Sequence, residues 1–312
     1  MVNLRFLHAC AGFALLLVMS SCQPPSNSNS NSGSGASAAP SAPAVQPVIA
    51  LFTDFGGTDP YVAQMKGAML SVDAGARLLD LTHDATPFDV EQGSYLLDQS
   101  AQEFPAGTIF VAVIDPEVGT DRVPLLVKTG AGKFYIGPDN GIFGRVIDRE
   151  GFVGAWNLDQ RAYYRPGATA DTFHGRDIFG PVAAHLAMGV DPASMGTALP
   201  EKSLDLPPTH EPAIAGGIIS AEVLHVDHYG NVILNFPAGG DAAAKFHLGN
   251  LVKITVGRES FTGPLVKTYG EGEKGRLILL YGNNGLLEIA LNQGSAAAKL
   301  KVMPGTAILL KP

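Results

Sequence analysis

Residues 108–122, TIFVAVIDPEVGTDR, decide how the chain folds. From Ile109 to Ile114 every side chain is apolar and most are β-branched. A run without polar alternation reads as a strand buried on both faces. It stops at Asp115-Pro116, because proline has no N–H to continue a ladder, and Gly119 supplies a further bend. Asp115 is thereby a carboxylate at a strand end, where open α/β sheets gather their ligands. Arg122, seven residues on, is able to fold back toward it. An Asp-Pro turn beside a surface arginine would account for the same letters.

Outward from this strand the pattern alternates. Val48–Phe52 and Arg77–Leu81 read as strands, and Pro60–Leu70 and Val90–Phe104 as helices with apolar residues at helical spacing. A βαβαβ order implies a mainly parallel sheet with right-handed crossovers. Phe134–Ile136 follows as a strand, then the turn cluster Gly137–Gly141, then a helix over Asp177–Met188 stopped by Gly189. After Asp205 the character changes. Leu206-Pro207-Pro208 and Glu211-Pro212 mark a linker, and six short strands follow with turn residues between them: 217–226, 232–236, 251–256, 277–281, 286–290 and 307–310. The expected architecture is a mainly parallel α/β sandwich over residues 48–205, followed by a small, mostly β, barrel-like domain over 212–312.

The first 47 residues belong to neither. Arg5 precedes an eleven-residue apolar stretch, Ala9–Met19, too short to span a bilayer but right for a signal peptide over 1–21. Ser20 and Ser21 lead into Cys22, an arrangement that resembles a bacterial lipoprotein signal with Cys22 as the lipid-bearing residue. The following segment, 22–47, is Ser, Asn, Pro, Ala and Gly with hardly a large apolar side chain, so it reads as a flexible tether. The expected location is extracytoplasmic, held to a membrane only by lipid, the outer one where a cell has two. With the leader gone Cys22 is the only cysteine, which excludes an intrachain disulfide and thiol catalysis. Beyond residue 46 the chain carries 20 basic against 29 acidic residues with no basic stripe, which argues against a nucleic-acid partner.

Four polar clusters fall at element ends. Thr53-Asp54-Phe55-Gly56-Gly57 follows the first strand; its glycines admit a ligand to the backbone and Asp54 can accept from ribose hydroxyls, or simply cap a helix. Asp115 with Arg122 is the second. In the third, Thr172–Asp177, His174 stands in a glycine-containing loop beside a helix start, with surface polarity as the plain alternative. The fourth, Val226–Val232, offers Asp227 and Asn231 to an amino acid or a nucleobase edge, or to a hairpin turn. Tyr281–Gly285 has the same double value. Histidine and carboxylate spacing for zinc is missing, so no metal is expected.

Taken in order, TDFG, DPEVGTDR, GPDNG, TFHGRDIF and VDHYGNV resemble the S-adenosylmethionine hydroxide adenosyltransferase family, related to fluorinase and chlorinase, from about Val48 to Lys311. The resemblance implies cleavage of S-adenosylmethionine at ribose C5′ by water, giving adenosine and methionine, with no cofactor beyond that substrate. It implies a catalytic set of Asp115, Arg122 and His174, a ribose contact at Asp54, and methionine and adenine contacts at Asp227, Asn231, Asn283, Asn284 and the backbone near Asn292-Gln293. It also implies a homotrimer in which the second domain of one subunit meets the first of its neighbour. A sulfonium is already an activated leaving group, so what remains is a positioned, partly desolvated water; Arg122 can stabilise hydroxide character while Asp115 and His174 orient it. Two departures from the halogenases favour water over halide: no long insertion precedes Thr108, and Gly175 stands in place of a halide-holding serine. Location supplies the rival expectation, an extracytoplasmic binding protein for adenosyl compounds with little turnover; halogen transfer is a third.

Overall fold

The computed structural model describes residues 46–168, 171–206 and 211–312. The leader, Cys22, the tether up to residue 45 and the linker prolines 207 and 208 lie outside the described residues. No helix among the described residues is long and apolar enough to cross a membrane.

Seven strands of the first half form one sheet: β1 (Val48–Thr53), β2 (Arg77–Thr82), β3 (Ile109–Val113), β4 (Pro124–Thr129), β5 (Phe134–Pro138), β6 (Phe152–Asn157) and β7 (Thr197–Leu199). Their order is β2-β1-β3-β5-β4-β6-β7. β2, β1, β3 and β5 run parallel, whereas β4 is antiparallel to both β5 and β6, and β6 to β7. The expected mainly parallel sheet is therefore a mixed one. Only residues 130–133 join β4 to β5, too few for a crossover, so these two must pair as a hairpin.

Five helices accompany this sheet: α1 (Tyr61–Val72), α2 (Val90–Ala101), α3 (Gly144–Glu150), α4 (Gly180–Ala187) and the single turn α5 (Pro192–Met195). Strand alternation sorts the core into two layers. Ile49, Leu51, Ile109, Val111 and Val113 pack with Met65 and Met69 of α1 and Val182 and Ala183 of α4. Ala50, Phe52, Phe110 and Ala112 face the other way, with Leu97 of α2 and Val146 of α3. β3 is thus buried throughout, as its unbroken apolar run requires. α2 ends at Ala101, short of the expected Phe104, because Pro105 and Gly107 already turn the chain into β3. The helix expected from Asp177 begins earlier, as a π-helical turn over Gly175–Phe179 that runs directly into α4.

The second half is antiparallel: β8 (Ala213–Ala215), β9 (Ile218–Val226), β10 (Val232–Pro237), β11 (Leu251–Val256), β12 (Glu259–Pro264), β13 (Leu277–Tyr281), β14 (Leu286–Leu291) and β15 (Ala307–Lys311). The order is β12-β11-β15-β9-β10-β14-β13, with β8 on β9. A bridge between Leu265 and Leu279, with Val266 N–H donating to the Leu279 carbonyl at 2.8 Å, nearly closes the sheet into a barrel. Val223, Leu234, Phe236, Ile254, Leu279 and Ile308 fill it. Two short helices, α6 (Gly240–Ala243) and α7 (Ala296–Leu300), lie among these strands. The halves meet where Tyr95 of α2 packs against Leu224 and Ile233, and its phenol accepts from Asn284 Nδ2 at 2.7 Å.

Candidate active site

β1 and β3 are parallel neighbours in register, so the residues just past their carboxyl ends, Asp54 and Asp115, emerge side by side. The loop after Asp115 folds back through a short turn closed by Thr120, whose hydroxyl donates to the Glu117 carbonyl and accepts from Arg122 N–H. Gly119 makes this possible: its φ is +85°, and a Cβ there would stand 3.0 Å from the Asp171 carbonyl oxygen. The return brings Arg122 onto Asp115 as a fork. Nε donates to Oδ1 at 3.2 Å and Nη2 to Oδ2, with both side chains almost wholly buried. The plain turn beside a surface arginine is therefore not what forms.

Arg122 also carries the third member. Its Nη2 lies 3.0 Å from His174 Nδ1. A guanidinium can only donate, so Nδ1 must accept, and the imidazole is neutral with its proton on Nε2. Burial, then the positive charge of Arg122, holds the His174 pKa below its ordinary value. Phe179 completes the packing, 5.5 Å beneath the guanidinium.

A cavity of about 270 Å³ opens over this cluster, lined by Asp54, Asp115, His174, the Gly175 backbone and the aromatics Phe55, Tyr61, Phe88 and Phe173. Arg122 does not line it; it stands behind Asp115 and His174 and faces a second cavity of about 670 Å³ with Arg161 and Arg165. Burial raises the Asp54 pKa, opposed by the Phe88 N–H that donates to its carboxylate at 3.0 Å.

Phe88, Tyr61 and Phe173 are residues to which sequence reasoning gave no role. Phe88 has a φ of +67° and is 72 % exposed at the cavity mouth. A bulky residue in that region costs about 1–3 kcal/mol, and such strain concentrates at functional sites. Its signal was in the letters. Asp89 caps α2 by accepting from Gln92 N–H, which puts Phe88 in the position that normally staples onto the residue four after the cap. That residue is Gly93, so the ring has no local partner.

The second half supplies a separate cavity of about 590 Å³, lined by Asp227, Tyr229, Asn231, Tyr269 and residues 291–295. The hairpin reading of the 226–232 loop holds here, and Asp227 and Asn231 also stand on the cavity wall. Asp227 Oδ1 accepts from the N–H groups of Tyr229 and Asn231, and Oδ2 from Asn231 Nδ2 at 2.9 Å, so the carboxylate builds the hairpin turn while facing the cavity. Gly230 is required: its φ is +82°, and a Cβ would collide with Ser295. Tyr269 donates to the buried Glu288 at 2.6 Å, and burial raises the Glu288 pKa. The Asn292 side chain holds the Tyr269–Gly272 turn, leaving its backbone to the cavity. Asn283 and Asn284 do not line this cavity; Asn284 is used in the turn before β14 and in the contact with Tyr95. The two cavities share no lining residue. Among the described residues no three His, Cys, Asp or Glu side chains gather in a way that could hold a metal ion.

This arrangement has matches among known proteins. Residues 49–196 match the family model described as SAM hydroxide adenosyltransferase N-terminal domain, and residues 221–309 that of the C-terminal domain. A (R)-S-adenosyl-L-methionine hydrolase of Thermus thermophilus is 35% identical over 285 residues, 85% of this chain and 100% of that protein. A fluorinase of Actinoplanes sp. is 29% identical over 84% of this chain and 96% of its own length. The crystal structure of an uncharacterized conserved protein from Thermotoga maritima superposes with a TM-score of 0.80 at 32% identity, over 85% of this chain and all of that one.

Proposed function

Because the chain belongs to the SAM hydroxide adenosyltransferase family, we propose that it hydrolyses S-adenosylmethionine to adenosine and methionine at the Asp115–Arg122–His174 centre. The observation that carries this reading is the buried fork between Arg122 and Asp115, with His174 on the same Nη2, at the wall of a cavity that also holds Asp54. A protein that only bound the substrate would have no use for that set.

In the reaction, water oxygen attacks C5′ of the ribose from the face opposite sulfur. The C5′–S bond breaks, and its electron pair leaves on sulfur as the neutral thioether of methionine. The water proton needs an acceptor. His174 Nδ1 is engaged by Arg122 and Nε2 carries a proton, so neither ring nitrogen has a lone pair to offer. Asp115 is the acceptor: Arg122 takes one site on each oxygen and a carboxylate has about four. Nε2–H of His174 donates to the water, and Arg122 acts through both partners by fixing their positions. Asp54 accepts from the ribose hydroxyls, held for that by Phe88 N–H. Because these donors and acceptors are already placed, little reorganisation is left for the transition state.

The lower identity to the fluorinase and the absence of a side chain at residue 175 support water over halide. Two half-cavities without a common lining residue support a homotrimer in which the first half of one subunit and the second half of its neighbour complete each other. We take domain limits of 48–205 and 212–312, a reading supported by the separate sheets of the two halves. We place the protein outside the cytoplasm, lipid-anchored at Cys22, on the strength of the leader sequence and the polar tether.

Incubation of the purified chain with S-adenosylmethionine, followed by chromatography, is expected to yield adenosine and methionine in equal amounts without added metal. Tight binding with no adenosine over hours would leave only the binding-protein reading. Cys22→Ser is expected to abolish lipid labelling and membrane fractionation; unchanged labelling would refute the anchor. Light scattering that returned a monomer would refute the trimer.

A further inference from the structure

Asp177 has no part in the reaction as written, yet its side chain is only 2 % exposed and it is tied to two arginines. Oδ1 accepts from Arg165 Nε at 2.5 Å and from Arg176 Nε at 2.7 Å, and Oδ2 accepts from Arg176 Nη2 at 2.8 Å. Its carbonyl oxygen accepts from Arg165 N–H at 2.9 Å and its own N–H donates to the Phe173 carbonyl at 3.0 Å. Asp177 lies inside the π-helical turn that His174 opens. π-Turns inside helices recur at functional sites.

The two arginines lead to different places. Arg176 lies over the Phe173 ring, 4.9 Å from its centroid. Phe173 in turn meets Phe55 and Tyr61 edge to face at 5.7 and 5.6 Å, and all three line the Asp54 cavity. Arg165 belongs to the segment that lines the larger cavity behind Arg122. A buried ion cluster is a weak device for stability, since apolar replacements of the same volume often do as well. What it does supply is a fixed geometry.

We propose that Asp177 is a positioning residue: through Arg165 and Arg176 it fixes His174 against Arg122 and holds the aromatic wall of the substrate cavity in place. This rests on the hydrolase reading above.

Wild type and Asp177→Asn of the full-length chain are compared in three measurements: steady-state kinetics with S-adenosylmethionine, thermal unfolding, and NMR titration of the His174 imidazole, assigned by comparison with His174→Asn. Asp177→Asn is expected to lower kcat per folded molecule by about tenfold or more, since small displacements at a reacting centre have effects of that size. The His174 titration should move to lower pH. The Asp177 charge, which itself raises the imidazole pKa, is removed, while Arg122, Asp115 and Asp171, which also act on it, are unaltered. Arg176→Met, which frees Phe173, should act mainly on KM, raising it about threefold or more. A lowered melting temperature with kcat and KM unchanged and the His174 proton still on Nε2, read from the imidazole ¹⁵N shifts, would overturn the proposal. Should Asp177→Asn not fold, Arg165→Gln and Arg176→Met carry the test, and unaltered kinetics and tautomer in both would overturn it equally. If the wild type forms no adenosine, the hydrolase reading fails, and the His174 tautomer, read from the imidazole ¹⁵N shifts, decides whether Asp177 keeps Nδ1 on Arg122.

Discussion

The two cavities of this chain are built from opposite materials. The first stands on the carboxyl ends of adjacent parallel strands, and its polar groups, Asp54, Asp115 and His174, are titratable and each held by a hydrogen-bond partner, the last two by the buried Arg122. The second is made by hairpin turns of a near-barrel, and beside the turn-building Asp227 its wall consists of amide, hydroxyl and aromatic groups, Leu291 and backbone. Fixed charges over rigid strands can act on a transition state, where small displacements are expensive. Neutral donors and acceptors on turns suit recognition of a purine edge or an amino acid, where adaptability is tolerable. On the proposed function, chemistry and the ribose contact fall to the first half and recognition of adenine or methionine to the second, so loss of a reacting group should damage kcat and loss of a second-half contact KM.

The largest expected effect lies in the first cavity. Arg122→Ala should lower kcat by about a thousandfold, the scale seen when a preorganised electrostatic partner is lost, while the Kd for S-adenosylmethionine by calorimetry changes little. It should also cost about 3–5 kcal/mol of stability, because Asp115 is left buried and unpaired. Comparable loss of kcat and Kd would break the separation. Next comes pH. Burial and the Arg122 charge lower the His174 pKa from its ordinary 6.5, so the neutral imidazole predominates at pH 6.5 and protonation takes over below it. That proton goes to Nδ1 and ends the Arg122 contact, so kcat/KM should hold near pH 6.5 and then fall about tenfold per unit on the acid side. An acid limb that begins above pH 6.5 would contradict the neutral tautomer.

The second cavity should answer differently. Asn231→Ala is expected to raise KM by about tenfold with kcat nearly unchanged, the signature of binding lost equally in ground and transition states. A fall in kcat instead would place chemistry on the hairpin. Smallest is the junction between the halves: Asn284→Ala removes one hydrogen bond to Tyr95 and should cost about 1 kcal/mol in urea unfolding, with kcat and KM unaltered. A large KM effect there would place Asn284 in the binding set.

The same division governs what was legible in the sequence. β1, β2 and β3 have continuous apolar runs or clear flanking turns, and their limits come from those alone. β4 and β6 were missed although Leu125–Val127 is buried, because nothing local distinguishes a strand added antiparallel at a sheet's far side from loop. Asp54, Asp115 and His174 could be named because each follows a strand end or precedes a helix. That Arg122 stands behind the cavity, and that Asp177 is buried between two arginines, depends on how the return loop and the π-turn pack; no spacing in the sequence encodes it. In the second half Asp227 and Asn231 were legible as a turn, which is what they build. Tyr269 was not, since its place on the cavity is set by a distant carboxylate, Glu288, and by Asn292.

The most direct test of the central claim follows the oxygen atom. Turnover of S-adenosylmethionine in ¹⁸O-water, read by mass spectrometry, should place the label on the 5′-hydroxyl of adenosine and leave methionine unlabelled, with Asp115→Asn forming neither product at a measurable rate. Adenosine without label, or no adenosine from the intact enzyme, would contradict water attack at C5′ by this centre.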